Sequence, residues 1–249
     1  MDDLKIENIK MVVFDKDGTL IDVHYYWCSM IECRAKLIVE SLKNRNVDFI
    51  GIYEELIDRM GIDINTKRMK IKGPVGIKPR EYIEKVALNT VLKYDENYSL
   101  KEIKEIFVKV DISTEASISK MIRVLPSVKK VLKELMANQI LISIATTDLS
   151  SRAILAMKSQ KLDKYFVDIV GGDLVEKAKP SPDLLEYIAK KNGLANGDIV
   201  LVGDSMVDLN MAKEFNCKFI GVKTGLFSNE FLAQSEYLIN DLESMEVTK

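Results

Sequence analysis

The sequence predicts an α/β protein, with a core built on a doubly wound parallel sheet that is interrupted by an all-helical insertion. From Leu125 onward, short apolar runs alternate with amphipathic helical segments, as they do in parallel sheets covered by helices. Near the start of the chain, the apolar run from Ile9 to Phe14 is typical of a strand buried on both faces. The segment between these two regions has helical periodicity and no convincing strand.

The insertion is expected to contain four helices. Their predicted spans are Ile21 to about Lys43, about Ile50 to Met60, about Pro79 to Leu92, and Ser99 to about Val124. Gly61 is expected to end the second helix, and Ser99 with Glu102 forms a capping-box pattern at the start of the fourth. These boundaries divide the chain into a discontinuous core, residues 1–20 and 125–249, and an insertion, residues 21–124.

The second part of the core is expected to add five strands to the sheet. They are predicted at Ile140–Ala145, Phe166–Val170, Ile199–Val202, Phe219–Val222 and, as a short last strand, Tyr237–Ile239. Helical segments separate most of these runs, which favours parallel strands joined by crossover helices.

The composition is that of an ordinary globular protein, with 47% hydrophobic and 30% charged residues among 249. The net charge of −2 offers no strongly basic face to nucleic acid or to an acidic membrane. No run approaches the roughly 18 apolar residues of a membrane span, and the first apolar run is too short for a signal peptide. The three cysteines lack metal-site spacing. We therefore expect a cytoplasmic protein without nucleic-acid or membrane partners; nothing in the sequence indicates its oligomeric state.

Polar residues follow the predicted strands, or lie in the loops beside them, at four places. These clusters are Asp15 with Asp17, Thr146 with Thr147, Lys179, and Asp204 with Asp208. Because the carboxyl ends of parallel strands share one edge of a sheet, the four clusters are expected to meet in one crevice. On a regular strand, Asp15 and Asp17 would also point to the same face.

Four carboxylates in one crevice would repel one another unless a cation were bound among them. Oxygen ligands of this kind suit Mg²⁺, which is usually held by one or two carboxylates together with water and substrate phosphate. Lys179 and the Thr146 hydroxyl would supply a positive charge and a donor for an anionic ligand. Taken singly, Asp17 and Gly18 could merely form a turn, Asp204 could cap a helix, and Lys179 could be a solvated surface residue. The convergence of the clusters favours a site.

The motif order resembles that of the haloacid dehalogenase superfamily of phosphatases. The segments DKDGTL, a strand ending in Thr146, KPSPD and GDSMVD occur in the order of that superfamily, each in a predicted strand-loop-helix context. The resemblance covers about residues 5–20 and 125–240. It implies a Rossmann-like core, and the helical insertion after the first motif is similar to the cap of the phosphoglycolate phosphatase-like branch.

The resemblance also implies roles for individual residues. Asp15 matches the nucleophile that forms an aspartyl-phosphate, and Asp17 matches the general acid and base, with its backbone carbonyl a metal ligand. Thr146 matches the residue that binds the transferring phosphoryl group. Lys179, which we prefer to Lys177 because a proline follows it, matches the lysine that stabilises the phosphoryl charge and orients the nucleophile. Of the later acids, Asp204 matches the direct metal ligand, and Asp208 matches the second acid, which holds metal-bound water or the lysine.

Four further residues are expected to contact substrate. Gly18 breaks the first strand where a ligand can come close to the backbone, and Thr147 follows the phosphoryl-binding hydroxyl. Lys78 and Arg80 belong to the Gly/Pro loop from Gly73 to Arg80, which we expect to carry specificity in the cap, although a solvated basic loop is an equally good explanation. Lys16, where the branch commonly has an apolar residue, is expected to point outward and to have little effect on the chemistry.

The sequence therefore predicts a Mg²⁺-dependent phosphatase that hydrolyses a small phosphorylated metabolite. Asp17 argues for phosphate esters, because an alkoxide leaving group must be protonated. Two alternatives remain at this stage. A phosphosugar mutase of the same superfamily would keep both acids and a similar cap, and a non-catalytic phosphate-binding regulatory module would use the pocket without turnover.

Overall fold

The computed structural model describes residues 4–43, 48–76, 78–115, 117–226 and 235–247. The chain divides into two compact units, one formed by Met1–Val23 with Ile122–Lys249 and the other by His24–Met121. Within the described ranges, no helix combines the length and the apolar character that crossing a membrane requires.

Ten strands and nine α-helices are found in the described residues. In chain order the strands are β1 (Leu4–Ile6), β2 (Met11–Phe14), β3 (Ile62–Asp63), β4 (Arg68–Met69), β5 (Leu141–Ala145), β6 (Asp168–Val170), β7 (Ile199–Gly203), β8 (Lys218–Val222), β9 (Tyr237–Ile239) and β10 (Met245–Val247). The helices are α1 (Val23–Ser41), α2 (Phe49–Met60), α3 (Arg80–Val91), α4 (Leu100–Glu115), α5 (Ile118–Met121), α6 (Val128–Ala137), α7 (Ser150–Ser159), α8 (Asp183–Asn192) and α9 (Met206–Phe215).

The core of the first unit is a six-stranded sheet in the order β6-β5-β2-β7-β8-β9, and every neighbouring pair is parallel. This confirms the α/β fold with a parallel, Rossmann-like sheet. Strand β2 lies at its centre, and all four of its residues are buried, as expected for a strand covered on both faces. Helices α8 and α9 contribute to this burial. Leu184 and Ile188 of α8 and Leu209 and Phe215 of α9 belong to the same hydrophobic cluster as Val13 of β2.

The first unit also contains a strand pair that the sequence pattern did not predict. Strands β1 and β10 pair in parallel as a separate two-stranded sheet, with Leu4 opposite Met245. Each strand has only three residues, too few to establish an alternating or continuous apolar pattern. Strand β6 is also shorter than predicted and begins at Asp168 rather than Phe166.

The second unit is mainly helical, and its helix ends follow their sequence signals. Gly61 ends α2 in the left-handed conformation with φ 109°. At the start of α4, the Ser99 backbone N–H donates to Glu102 Oε2 at 2.8 Å, while the Glu102 N–H donates to Ser99 Oγ at 3.3 Å, which confirms the capping box.

Two local expectations for the second unit were wrong. Strands β3 and β4 form a short antiparallel pair where no strand was predicted, because two-residue strands leave no periodic signal. The predicted helix from Ser99 to about Val124 is divided between α4 and α5.

Candidate active site

The register of the central strands brings the predicted motifs to one edge of the sheet. Phe14, the last residue of β2, lies opposite Ile144 of β5 and Val202 of β7. Asp15 follows β2 directly, and its backbone N–H donates to the Val202 carbonyl at 2.8 Å. Thr146 and Asp204 likewise follow β5 and β7 directly. The three residues therefore lie side by side at the carboxyl edge, where open α/β sheets bind their ligands.

Lys179 lies between two carboxylates of this edge. Its Nζ is 2.5 Å from Asp15 Oδ1 and 2.6 Å from Asp208 Oδ1, and only 1% of its side chain is exposed. Burial alone would lower the pKa of this ammonium, but the charges of Asp15 and Asp208 outweigh it and raise the pKa. Lys179 is therefore a fixed positive charge beside Asp15.

The carboxylates of Asp15, Asp204 and Asp208 form a buried cluster whose nearest oxygens all lie within 4.8 Å of one another. Lys179 pairs with two of them; within the described part of the chain, Asp204 has no lysine or arginine partner. Three ionised carboxylates and one ammonium leave a formal charge of −2, which a divalent cation would neutralise. Hard oxygen ligands of this kind fit Mg²⁺.

The electrostatics of the cluster also indicate a cation site. Burial, with Asp208 and Asp17 adding to it and Lys179 opposing it, raises the pKa of Asp15 from 3.8 to about 7. The pKa of Asp204 lies well above its ordinary value, first through burial and then through repulsion from Asp15 and Asp208. Such shifts arise where carboxylates share a buried site in which one ammonium does not balance their charge.

Two glycines lie against the Asp204 carboxylate. A Cβ on Gly18 would lie 2.5 Å from Asp204 Oδ2, and a Cβ on Gly225 only 1.6 Å from it. Gly18 also has φ 95°, which an L side chain rarely adopts. Thr224 Oγ1 donates to the Gly18 carbonyl at 2.6 Å, which ties the turn at Gly18 to the loop after β8. The sequence predicted Gly18 but missed Thr224 and Gly225, which follow β8 at the same edge.

Asp17 does not share the carboxylate cluster with Asp15. Strand β2 ends at Phe14, so the alternation that would put both acids on one face does not extend to them. Instead, both carboxylate oxygens of Asp17 contact Lys16 Nζ, at 2.9 and 2.8 Å. The expectation that Lys16 points outward was wrong, because its side chain is only 1% exposed. The buried ammonium is paired with the carboxylates of Asp17 and Asp148.

The two threonines after β5 differ in exposure. Thr146 is 1% exposed, and its Oγ1 accepts a hydrogen bond from the Asp148 backbone N–H at 3.2 Å. This bond leaves the hydroxyl hydrogen free to be donated to a ligand. Thr147 is exposed.

Lys78 and Arg80 belong to the second unit, whereas all the geometry above lies in the first. Lys78 is exposed. Arg80 Nε donates to Glu84 Oε1 at 2.8 Å, and its Nη1 pairs with Asp111. In the predicted specificity loop, Ile77 lies outside the described residues.

Comparisons with known proteins place the chain among proteins of the same fold. The family model described as haloacid dehalogenase-like hydrolase matches residues 40–222, well over half of the chain. A phosphoglycolate phosphatase of Vibrio vulnificus is 25% identical over 231 residues, which cover 92% of this chain and 90% of the relative. One of Salmonella typhimurium is 26% identical, with 93% and 88% covered.

Solved structures share the fold. A predicted phosphoglycolate phosphatase of Haemophilus somnus aligns with a TM-score of 0.65 at 22% identity, covering 94% of this chain and 95% of its own. CbbY of Rhodobacter sphaeroides, solved in complex with phosphate, aligns with a TM-score of 0.57 at 19% identity and covers 94% of both chains.

The chain belongs to the haloacid dehalogenase-like hydrolase family. As the motifs predicted, it is a phosphatase of the phosphoglycolate phosphatase-like branch.

Proposed function

We propose that the protein is a Mg²⁺-dependent phosphatase that hydrolyses a small phosphomonoester through an aspartyl-phosphate on Asp15. The observation that carries the proposal is the contact of Lys179 with Asp15 inside a carboxylate cluster of net negative charge. Asp15, Asp204 and Asp208, with the Asp17 backbone carbonyl, are the groups that would hold Mg²⁺. When bound, the cation would lower repulsion between the carboxylates and the substrate phosphate.

The first chemical step uses two aspartates of the first motif. An Asp15 carboxylate oxygen attacks phosphorus, and the bond between phosphorus and the ester oxygen breaks. The leaving oxygen takes a proton from the Asp17 carboxyl group, so that an alcohol rather than an alkoxide departs. Lys179 keeps the attacking carboxylate oriented and offsets the charge of the phosphoryl group, while the Thr146 hydroxyl donates to one of its oxygens.

The second step returns the enzyme to its starting state. Asp17, now ionised, takes a proton from a water molecule as that water attacks the phosphorus of the aspartyl-phosphate. The bond between phosphorus and Asp15 breaks, which releases inorganic phosphate and restores the Asp15 carboxylate. The first motif thus supplies a nucleophile and a proton carrier from residues two positions apart.

We assign His24–Met121 the role of a cap that excludes water and selects the substrate, with Lys78 and Arg80 as its candidate anion-binding groups and Gly18 and Thr147 contributing from the core. A small phosphorylated metabolite in the cytoplasm is the proposed substrate, and 2-phosphoglycolate heads the set to be tested because relatives bear the name phosphoglycolate phosphatase.

The experiment is a phosphate-release screen with phosphorylated metabolites, comprising 2-phosphoglycolate, nucleoside monophosphates and sugar phosphates, each with Mg²⁺ and with EDTA. We expect release that requires Mg²⁺ from at least one ester and that is lost in Asp15→Asn. A phosphosugar mutase would isomerise a sugar phosphate without stoichiometric release of phosphate. A regulatory module would bind a metabolite and turn over none of the panel, and either outcome would reject the phosphatase proposal.

A further inference from the structure

Lys16 is one of the most completely buried large side chains of the protein, although it lies between the two acids of the first motif. Its side chain is 1% exposed, and its Nζ contacts Asp17 Oδ1 at 2.9 Å, Asp17 Oδ2 at 2.8 Å and Asp148 Oδ2 at 3.2 Å. Lysine is almost never this buried unless it is paired, because removing an ammonium from water is costly. The burial of the Lys16 ammonium is therefore tied to its pairing with these two carboxylates.

The contacts of Lys16 join two loops of the site. Asp17 follows β2, and Asp148 follows β5, the strand that pairs with β2 in register. Asp148 also lies 3.7 Å from Arg152 Nε and accepts the Leu149 backbone N–H at 2.8 Å. Asp148 is thus held by its own helix terminus and can serve as a fixed anchor for the Lys16 ammonium.

The two acids of the first motif are each paired with a different lysine. Lys179 contacts Asp15, the proposed nucleophile, while Lys16 contacts Asp17, the proposed proton carrier. A carboxylate at the surface end of a turn samples several rotamers, and a displacement of about 1 Å from the reacting atom can cost about 100-fold in rate. The Asp17 side chain is 24% exposed, so packing alone does not fix it. Contact with the Lys16 ammonium fixes it, and when one Asp17 oxygen carries the proton that is transferred, the other oxygen keeps this contact.

We propose that Lys16 is a positioning residue that holds the Asp17 carboxylate for proton transfer to the leaving group, and that Asp148 anchors Lys16. This inference rests on the proposed function, because it assigns Lys16 a purpose in that reaction. It replaces the expectation that residue 16 is neutral to the chemistry.

Leaving groups of different basicity test the inference. Loss of proton transfer slows esters of alcohols, whose leaving oxygen needs a proton, more than 4-nitrophenyl phosphate, whose phenolate departs without one. The parameter to measure is kcat/KM, because it reports the steps up to departure of the leaving group. For Lys16→Met we expect a loss of about 10- to 100-fold with the best alkyl phosphate and a loss smaller by about 10-fold or more with 4-nitrophenyl phosphate.

Two comparisons make the result specific. Asp17→Asn should give the same selective loss of kcat/KM, only more severe. Lys10→Met, which removes a surface pair with Asp198, should change kcat/KM for neither ester. Asp148→Asn should show a weaker version of the Lys16→Met pattern. Combined with Lys16→Met, it should cause no further loss of kcat/KM. Equal losses with both esters, or additive losses in the double variant, would overturn the proposal.

A crystal structure separates this inference from the proposed function. If the wild-type protein releases no phosphate, the phosphatase proposal fails, but the position of the Asp17 carboxylate in wild type and in Lys16→Met still decides whether Lys16 holds it. A carboxylate that leaves its place in the variant supports the inference, and one that stays overturns it. If Lys16→Met does not fold, Lys16→Gln, which keeps the size and one amide donor, is measured in its place with the same two outcomes.

Discussion

Gly225 and Asp204 are so close that a methyl group on Gly225 would lie 1.6 Å from Asp204 Oδ2. No side-chain carbon can lie so close to a carboxylate oxygen. Position 225, in the loop after β8, must therefore be glycine if the Asp204 carboxylate is to keep its place. Gly18 also lies against this carboxylate, because a Cβ there would be 2.5 Å from Asp204 Oδ2. The orientation of this proposed metal ligand is therefore set by two residues without side chains.

Gly225→Ala should weaken metal activation. The added methyl group displaces the Asp204 carboxylate, and changes in the residues that orient a metal ligand typically cost about 10- to 100-fold in metal affinity or activity. The Mg²⁺ concentration for half-maximal phosphate release is the quantity to measure. Gly197→Ala is the control, because a Cβ there meets nothing within 4 Å; equal effects of both variants would contradict the assignment of Gly225.

Asp15→Asn should abolish turnover without unfolding the protein. The amide has the size of the carboxylate but is not a nucleophile for phosphorus, so we expect a loss of at least about 1,000-fold in kcat. Circular dichroism and thermal unfolding check the fold. Asp163→Asn, which changes a partly buried aspartate of the same unit, should keep full activity. Retained turnover in Asp15→Asn would reject Asp15 as the nucleophile.

The pH dependence of metal-free stability should follow the raised pKa of Asp15. The unfolded chain releases this proton near pH 3.8, and burial raises the pKa to about 7 in the fold. Between these values the folded state holds the extra proton, so its stability falls as pH rises, by at most about 4 kcal/mol. In EDTA, the melting temperature of wild type should decline from pH 5 to 8 more steeply than that of Asp15→Asn.

The proton on Asp15 competes with Mg²⁺ for the carboxylate. Because metal ligands must be ionised, Mg²⁺ should bind more weakly below about pH 7. The rise in melting temperature on adding Mg²⁺ should therefore be larger at pH 8 than at pH 6. A rise that is independent of pH would show that the carboxylate cluster is not where the cation binds.

Lys179→Met should lose both activity and stability. The variant leaves Asp15 and Asp208 buried without their ammonium, and breaking a buried pair in this way costs about 3–5 kcal/mol. Adding Asp208→Asn should restore part of the stability but none of the activity, because the repulsion is relieved while the charge beside Asp15 stays absent. Lys177→Met is the matched control: this lysine is exposed, two residues away, and its loss should change neither property.

The central sheet and the motif positions could be predicted because each rests on a local pattern. Buried strands such as β2 and β7 are continuous apolar runs, and polar residues after them must meet where parallel strands end. The contacts of Lys16 could not be predicted in this way, because its partner Asp148 is 132 positions distant in the sequence and only the pairing of β2 with β5 brings them together. The same holds for Gly225, whose closeness to Asp204 depends on the pairing of β7 with β8. Strands as short as β3 and β4 leave no signal at all.

Lys78 and Arg80 should behave differently from each other, although both were predicted as substrate ligands. Arg80 is already paired with Glu84 and Asp111 and stacks over Phe107 at 5.6 Å, so Arg80→Ala should lower the melting temperature of the protein by removing contacts within the helical unit. Lys78 is exposed, so Lys78→Ala should leave the melting temperature unchanged.

Kinetics then decide whether Lys78 contacts the substrate. If its ammonium binds a substrate anion, KM rises by about 10- to 150-fold with little change in kcat, because a charge-assisted hydrogen bond is worth roughly 1.5–3 kcal/mol and a change in KM alone means lost ground-state binding. Lys72→Ala, which removes another exposed lysine of the same unit, is the control and should leave KM as it is. If KM is the same in Lys78→Ala and wild type across the phosphate-ester panel, Lys78 is only a solvated residue, and specificity must come from elsewhere in the unit.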